Sequence, residues 1–436
     1  MLPQPGIYQK MVQEEVNRIQ QDVIRISHAI HSHPEIGMQE HRACRFLVAE
    51  ARSRGFQVET PVAGMETGFV ARYPSYADGP RIAFLCEYDA LPDLGHACGH
   101  NIIAAASFGA AVALIPVVSE LGGTILLIGT PDEEAIGDAS KGGKVVMSRA
   151  GIFDSLDAAF MMHPTSGKNA VWRYAFPLKD FTVQFHGKPA HYTQPEKGIN
   201  ALESLLMFLN SVSSLKRSWS PSVMLAYTIT DGGGPSAITV PKSAKAHMTL
   251  KAFDIEYLES RFEQVQTCVR AVSEMTGARG HIQVLDEYRH MIPNLHLAAS
   301  LFKNMQSLGE PVESPIYSQR NLERQTYPGI STDFSDVSWV VPAIHGYCSI
   351  GDSSLVAHTP EFAEAAGSEA GNAAAVKAAK AMAMTAVDIL SDKAFAHNVK
   401  TEFLTYRSQK FRNVPGIPPQ YLPFPEAFLR ASRESI

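Results

Sequence analysis

His96-Ala97-Cys98-Gly99-His100-Asn101 follows the apolar run Ile82-Ala83-Phe84-Leu85-Cys86 and its polar end Glu87-Tyr88-Asp89. A strand ending in carboxylates, then a loop with a thiol and two imidazoles, then an apolar helix, has the layout of a metal site. Cys98 and His100 are two residues apart, so both can turn toward one centre, and Gly99 between them permits an unusual backbone. Further apolar runs follow at Thr124–Gly129, 158–162 and 340–344, several of them separated by helical segments. Short continuous apolar runs alternating with helices predict an α/β domain with helices on both faces of its sheet. In such sheets, sites lie at the carboxyl ends of strands. Asp89 falls after one run, Glu133 and Glu134 after the next, and His163 after the third.

Outside these runs, Val12, Val16, Ile19, Val23, Ile26 and Ile30 recur at helical spacing, which predicts one amphipathic helix over 12–30. Residues 178–291 read differently. A strand with alternating faces at 181–185 precedes a helix carrying Leu202, Leu205, Leu206, Leu209 and Val212 on one stripe. Strands at 224–230 and 244–252, a helix near 255–275 and a strand at 282–285 complete a β-α-β-β-α-β order. That is the pattern of a ferredoxin-like α+β domain inserted into the first. The first domain is then discontinuous, comprising 1–177 and 292–436, and closes with an Ala-rich helix near 364–390. Beyond about residue 395, Pro415, Pro418, Pro419, Pro423 and Pro425 predict a largely extended surface tail.

Composition narrows the classes. The net charge of −6 argues against a nucleic-acid binder, which would show a basic excess. No run of ~20 apolar residues stands out as a membrane span, and the N-terminal segment lacks the regions of a secretory signal. Five scattered cysteines form no disulfide framework, so a reducing cytoplasm is the expected compartment. Cys44, Cys86 and Cys348 sit among apolar neighbours as small core residues.

The donors beyond the first loop are Glu133-Glu134, His163 before Pro164, and His358 in Val356-Ala357-His358-Thr359-Pro360. Two adjacent carboxylates are costly to desolvate without a cation or a proton. One could bind metal while its neighbour takes a proton from water. Singly, each has a bland reading: a Cys-x-His without consequence, a solvated Glu-Glu pair, a capping or core histidine. His28, His31, His41 and His345 stay in that last class. Adjacent Cys98 and His100, or His96, also leave open a thiol nucleophile, although that reading gives Glu133, Glu134, His163 and His358 no task.

Taken in order, Glu87-Tyr88-Asp89-Ala90-Leu91-Pro92, His96–Asn101, Pro131-Asp132-Glu133-Glu134, His163, Gly187-Lys188-Pro189-Ala190-His191, Gly198-Ile199-Asn200-Ala201, Ser331-Thr332-Asp333-Phe334 and Ala357-His358-Thr359-Pro360 resemble peptidase family M20, its amidohydrolase branch above all. That branch includes hydrolases of amino-acid conjugates and β-alanyl-lysine dipeptidase-like proteins. The resemblance implies a zinc-peptidase-like catalytic domain on a mixed sheet, plus a lid that mediates homodimerisation. It implies two divalent ions per subunit, zinc first, with manganese, cobalt or nickel as alternatives. Carried over by position, Cys98, His100, Glu134, His163 and His358 are the ligands, with Cys98 bridging. Glu133 is the general base and Asp89 orients a ligand. His191, from its own or the partner subunit, stabilises the oxyanion.

The activity implied is hydrolysis of the amide of an N-acyl amino acid, an amino-acid conjugate or a small dipeptide. A catalytically silent binding or regulatory homologue is the alternative. The chain also departs from the family. Ala237-Ile238-Thr239-Val240-Pro241 lacks an asparagine common there; Lys251 stands at a position often arginine, Ile330 at one often glycine, and Asp336 at one often asparagine. These changes bear on a clamp for a free substrate carboxylate, because lysine supplies charge without a bidentate fork.

Overall fold

The computed structural model describes residues 6–74, 77–136, 141–220, 223–313 and 329–408. Its first sheet joins β1 (Gln57–Glu59), β2 (Phe69–Pro74), β3 (Arg81–Cys86), β4 (Thr124–Gly129), β5 (Ala158–Ser166) and, much later in the chain, β10 (Ala343–Gly351), in the order β1-β2-β4-β3-β5-β10. β3 runs parallel to β4 and β5, and β5 parallel to β10, whereas β2 pairs antiparallel with β1 and β4. The sheet is therefore mixed.

Alternation along β3 shows why its apolar run is continuous. Ile82, Phe84 and Cys86 enter one core, with α1 (Ile7–Arg18), α2 (Gln20–His31), α4 (His100–Ala113) and α12 (Glu369–Ser391). Ala83 and Leu85 enter a second core on the opposite face, with Met147 of α6 (Gly143–Arg149) and Phe334 and Val337 of α10 (Phe334–Ser338). Every residue of α4 is buried, as an all-round apolar helix must be. The stretch His100–Leu121, which continues into α5 (Ile115–Leu121), is long and apolar enough to cross a membrane by length and composition. This corrects the expectation that no such run occurs, and 83% of it is buried inside the fold.

The second sheet is built from β6 (Leu178–His186), β7 (Met224–Asp231), β8 (Ser243–Lys251) and β9 (Arg279–Tyr288) in the order β7-β8-β6-β9, every pair antiparallel. The helices α7 (Ala201–Lys216) and α8 (Ile255–Thr276) cover one face, packing Leu205, Phe208, Val265 and Val269 on Phe181, Val183, Phe185, Ala246 and Met248. The opposite face carries polar residues such as Asp180, Thr182, His247 and Thr249.

Several boundaries differ from the sequence expectation. The helix expected over 12–30 breaks at Ile19, whose φ of −99° and ψ of 11° separate α1 from α2. β5 continues past 162, so His163 lies within the strand. The run at 340–344 only enters the strand at its end: β10 starts at Ala343 and extends to Gly351, because its pairing with β5 carries it on through polar residues. The helix expected near 364–390 is two, α11 (Pro360–Ala366) and α12, the second capped by Ser368. The tail turns helical in α13 (Lys393–Ser408), and the prolines from Pro415 onward lie outside the described residues.

Candidate metal centre

Four chain segments meet at the carboxyl end of the first sheet. After β3, Glu87 and Asp89 are buried, and the loop closes through the Leu91↔Gly95 bridge before α4 starts at His100. Gly99 caps α4 with a φ of +76°, and a Cβ there would stand 2.5 Å from Pro164 Cγ. Both the left-handed backbone and the close approach require glycine between Cys98 and His100. After β4, Asp132 adopts a φ of +61° and its amide donates to Glu40 Oε1 at 2.9 Å, while the Glu134 amide donates to Asp89 Oδ2 at 2.9 Å. From the far end of the chain, His358 takes a φ of +64° and its amide donates to Ala97 O at 2.9 Å.

These backbones bring five side chains into two overlapping groups. Donor atoms of Cys98, His100 and His163 lie within 4.8 Å of one another, as do those of Cys98, Glu134 and His358. Cys98 belongs to both. Cys98 Sγ is 3.4 Å from His163 Nε2, and His358 Nε2 is 3.6 Å from Glu134 Oε1. Donors about 2.0 to 2.3 Å from one tetrahedral ion stand roughly 3.3 to 3.6 Å apart, so this spacing suits a shared cation. The tautomers also fit. His163 Nδ1 donates to Pro164 O at 2.6 Å and His100 Nδ1 to Asp89 Oδ1 at 2.9 Å, which turns each Nε2 toward the centre. His100 Nε2 and Glu134 Oε1 are buried without a hydrogen-bond partner among the described residues. An unpartnered buried carboxylate oxygen such as Glu134 Oε1 suits a cation, and His100 Nε2 becomes a donor atom for one once its proton is displaced.

The electrostatics point the same way. Burial, with Glu87, Glu134 and Asp333 nearby, pushes the Glu133 carboxyl well above the usual carboxylate range, against the pull of His100. Burial likewise raises Glu134, and burial followed by Glu134 pushes the Cys98 thiol up. A thiol held in its protonated form is a poor nucleophile, which weighs against a thiol-nucleophile reading. Burial lowers His163 to about 4, keeping its imidazole neutral and fit to ligate. Burial opposes charge on both Asp89 and His100, yet their mutual attraction wins, holding Asp89 below its ordinary value and His100 well above. A divalent ion would relieve the crowded acids directly.

Three residues of the site escaped the sequence reading. Lys144, at the start of α6, is fully buried, with Nζ 2.7 Å from Glu87 Oε1 and 2.6 Å from Asp333 Oδ1. Glu87 Oε2 in turn lies 3.5 Å from His100 Nε2, and Glu87, His100 and Glu133 form a third close group. Glu87 and Asp333 stood inside quoted motifs, whereas nothing in Gly142-Gly143-Lys144 signals a buried ammonium. Conversely, His191 is exposed, its Nδ1 2.8 Å from Thr193 Oγ1, and no described contact joins it to the centre. His96 packs beside His31, with ring centroids 6.1 Å apart, rather than on Cys98. Lys251 donates to Gly329 O at 3.2 Å, and Asp336 Oδ2 accepts the Arg289 amide at 3.0 Å.

Comparison with known proteins adds lineage. The peptidase dimerisation domain matches residues 176–276. An Xaa-Arg dipeptidase of Mus musculus is 35% identical over 89% of this chain and 90% of its own length. A putative aminohydrolase structure from methicillin-resistant Staphylococcus aureus superposes with a TM-score of 0.71 at 19% identity, covering 87% of this chain and 99% of that one. A dinuclear metal-binding peptidase of the M20 family from Bacillus subtilis superposes with a TM-score of 0.61 at 19% identity, covering 86% and 99%. The last two share the fold.

Proposed function

Because the chain belongs to peptidase family M20, we propose that it is a metal-dependent hydrolase of the amide bond in a small dipeptide or N-acyl amino acid, with Glu133 as general base. The observation that carries this reading is the pair of donor groups that share Cys98, with Glu133 beside them. Cys98, His100 and His163 would hold one divalent ion, and Cys98, Glu134 and His358 the other. When bound, the ions supply Lewis acidity toward the amide carbonyl and acidify a water. Glu133, in its desolvated position, accepts the water's proton and returns it to the leaving amine. Asp89 fixes the tautomer of His100. His191 reaches the reacting carbonyl when the lid closes, from its own or the partner subunit, and stabilises the oxyanion.

The name of the Mus musculus relative supports a basic residue on the leaving-amine side of the substrate. A homodimer through the second sheet is supported by an apolar surface that a monomer leaves bare: Leu206 and Met207 on α7, Tyr227 and Ile229 on the edge strand β7, each at least 38% exposed. The test is a panel of dipeptides and N-acyl amino acids assayed with zinc, manganese, cobalt and nickel after chelator stripping. Restoration of hydrolysis by added metal is the expected result. Hydrolysis that survives stripping, or none with any substrate and metal, rejects the reading in favour of a thiol mechanism or a silent homologue respectively.

A further inference from the structure

Asp286 on β9 is a buried carboxylate that forms no ion pair among the described residues. Its residue is 6% exposed, and its Oδ1 has no hydrogen-bond partner. It pairs in register with Asp180 on β6, so the two side chains stand on the same face of the sheet, the one away from α7 and α8. Like charges directly opposite are destabilising unless something compensates them. Asp180 has compensation, since His247 and Thr249 both hydrogen-bond to it. No described hydrogen bond reaches Asp286 Oδ1 in the same way, and burial together with Asp132, Asp180 and Asp333 raises its pKa to about 7 against the pull of Lys141.

The position of Asp286 ties it to the metal centre. Two residues along the same strand face, Tyr288 abuts Gly142 and Asp333: a Cβ on Gly142 would meet Tyr288 Cε1 at 2.9 Å and Asp333 Cβ at 3.0 Å. Asp333 holds Lys144, Lys144 holds Glu87, and Glu87 faces His100. Asp132, whose field Asp286 feels, adjoins Glu133 in sequence. The sheet face that carries Asp286 thus meets the catalytic domain at Gly142 and Asp333, which leads through Lys144 and Glu87 to His100.

We propose that Asp286, opposite Asp180 in the sheet, is the recognition point for a cationic group, a guanidinium or an ammonium, on the leaving-amine side of the substrate. This deepens the amidohydrolase reading and rests on it for the word substrate. A guanidinium placed there would satisfy the free Oδ1 and offset the Asp180–Asp286 repulsion, whereas an uncharged isostere would leave a buried acceptor unpaired. Asp286 is then a specificity residue with no part in the proton transfers at Glu133.

The test uses the zinc-loaded full chain and two probes alike in shape but not in charge, free arginine and free citrulline, titrated by calorimetry. Arginine is expected to bind at least tenfold more tightly than citrulline, and that gap is expected to collapse in Asp286→Asn. Asp286→Ala, with thermal melting as a folding control, guards against a local effect of the amide. Equal binding of the two probes to the native chain, or a gap that survives both substitutions in folded protein, overturns the proposal. Hydrolysis of N-acyl arginine measured on the same samples separates the two readings. A native arginine preference without hydrolysis rejects the proposed activity and keeps the subsite; hydrolysis without the preference does the reverse.

Discussion

Asp89 stands 2.9 Å from His100 Nδ1 through one carboxylate oxygen and accepts the Glu134 amide, also at 2.9 Å, through the other. One buried side chain thereby sets the tautomer of one expected ligand and the backbone of another. Asp89→Asn is expected to leave the fold intact and to weaken metal affinity by about 10- to 100-fold, the usual effect of removing such a partner. Competition with a chromogenic chelator reads it, and unchanged affinity would contradict the orienting role.

Glu133→Gln is expected to lower turnover by about 10²- to 10⁴-fold, the range for loss of a general base. Metal content measured by elemental analysis should stay at the native value, because Glu133 belongs to neither of the donor groups that share Cys98. Turnover close to native would remove Glu133 from the mechanism.

Cys98→Ala strips a donor from both groups at once. Bound metal should fall for both ions together, whereas His358→Ala should affect one. Full occupancy of two ions in Cys98→Ala would contradict sharing.

Metal binding should be steeply pH-dependent. Without a cation the Cys98 thiol and the His100 imidazolium both lie above their ordinary values, so at neutral pH each holds a proton that a metal must displace. Falling pH therefore opposes binding, and the apparent affinity should rise by about tenfold per pH unit for each proton expelled. Calorimetry in buffers of different ionisation enthalpy counts the protons. About two are expected for the group of Cys98, His100 and His163, and none released would overturn the assignment.

Lys144→Met leaves Glu87 and Asp333 buried without their counter-ion, a change that costs about 3 to 5 kcal/mol in comparable sites. Adding Glu87→Gln and Asp333→Asn should restore part of that stability, because the three groups act as one unit. Denaturant titration of the single and triple variants checks it; strictly additive losses would show that the triad is not coupled.

The parts of the site legible in the sequence were those that punctuate apolar runs. Asp89, Cys98 and His100 follow β3, and Glu133 and Glu134 follow β4, so their place at a sheet edge could be read from where hydrophobicity stops. His358 stood out as a candidate donor, but it precedes a helix rather than ending a strand, so only the resemblance joined it to the others. Lys144 was not legible at all: a lysine in the first turn of a helix ordinarily points to water, and only the approach of Glu87 and Asp333 from distant segments turns it inward. β10 was misplaced for a similar reason. His345 and Ser349 break its apolar pattern, and the strand exists because β5 offers a parallel partner from Ala343 to Gly351. Asp286 lies one residue past the strand expected at 282–285 and was not singled out, although β9 carries it on to Tyr288.

The register of β5 with β10 has a consequence of its own. Tyr347 lies directly beside His163 in the sheet, although the whole of β6, α7, β7, β8, α8 and β9 intervenes in the chain. To the catalytic sheet, that entire unit is a single long excursion between neighbouring strands. Its two ends leave and rejoin that sheet at adjacent strands, which makes it a candidate cassette. Grafting the corresponding excursion from a relative is expected to transplant substrate preference while Cys98, His100 and His163 stay where they are. Selectivity and metal chemistry are in this sense separately inheritable.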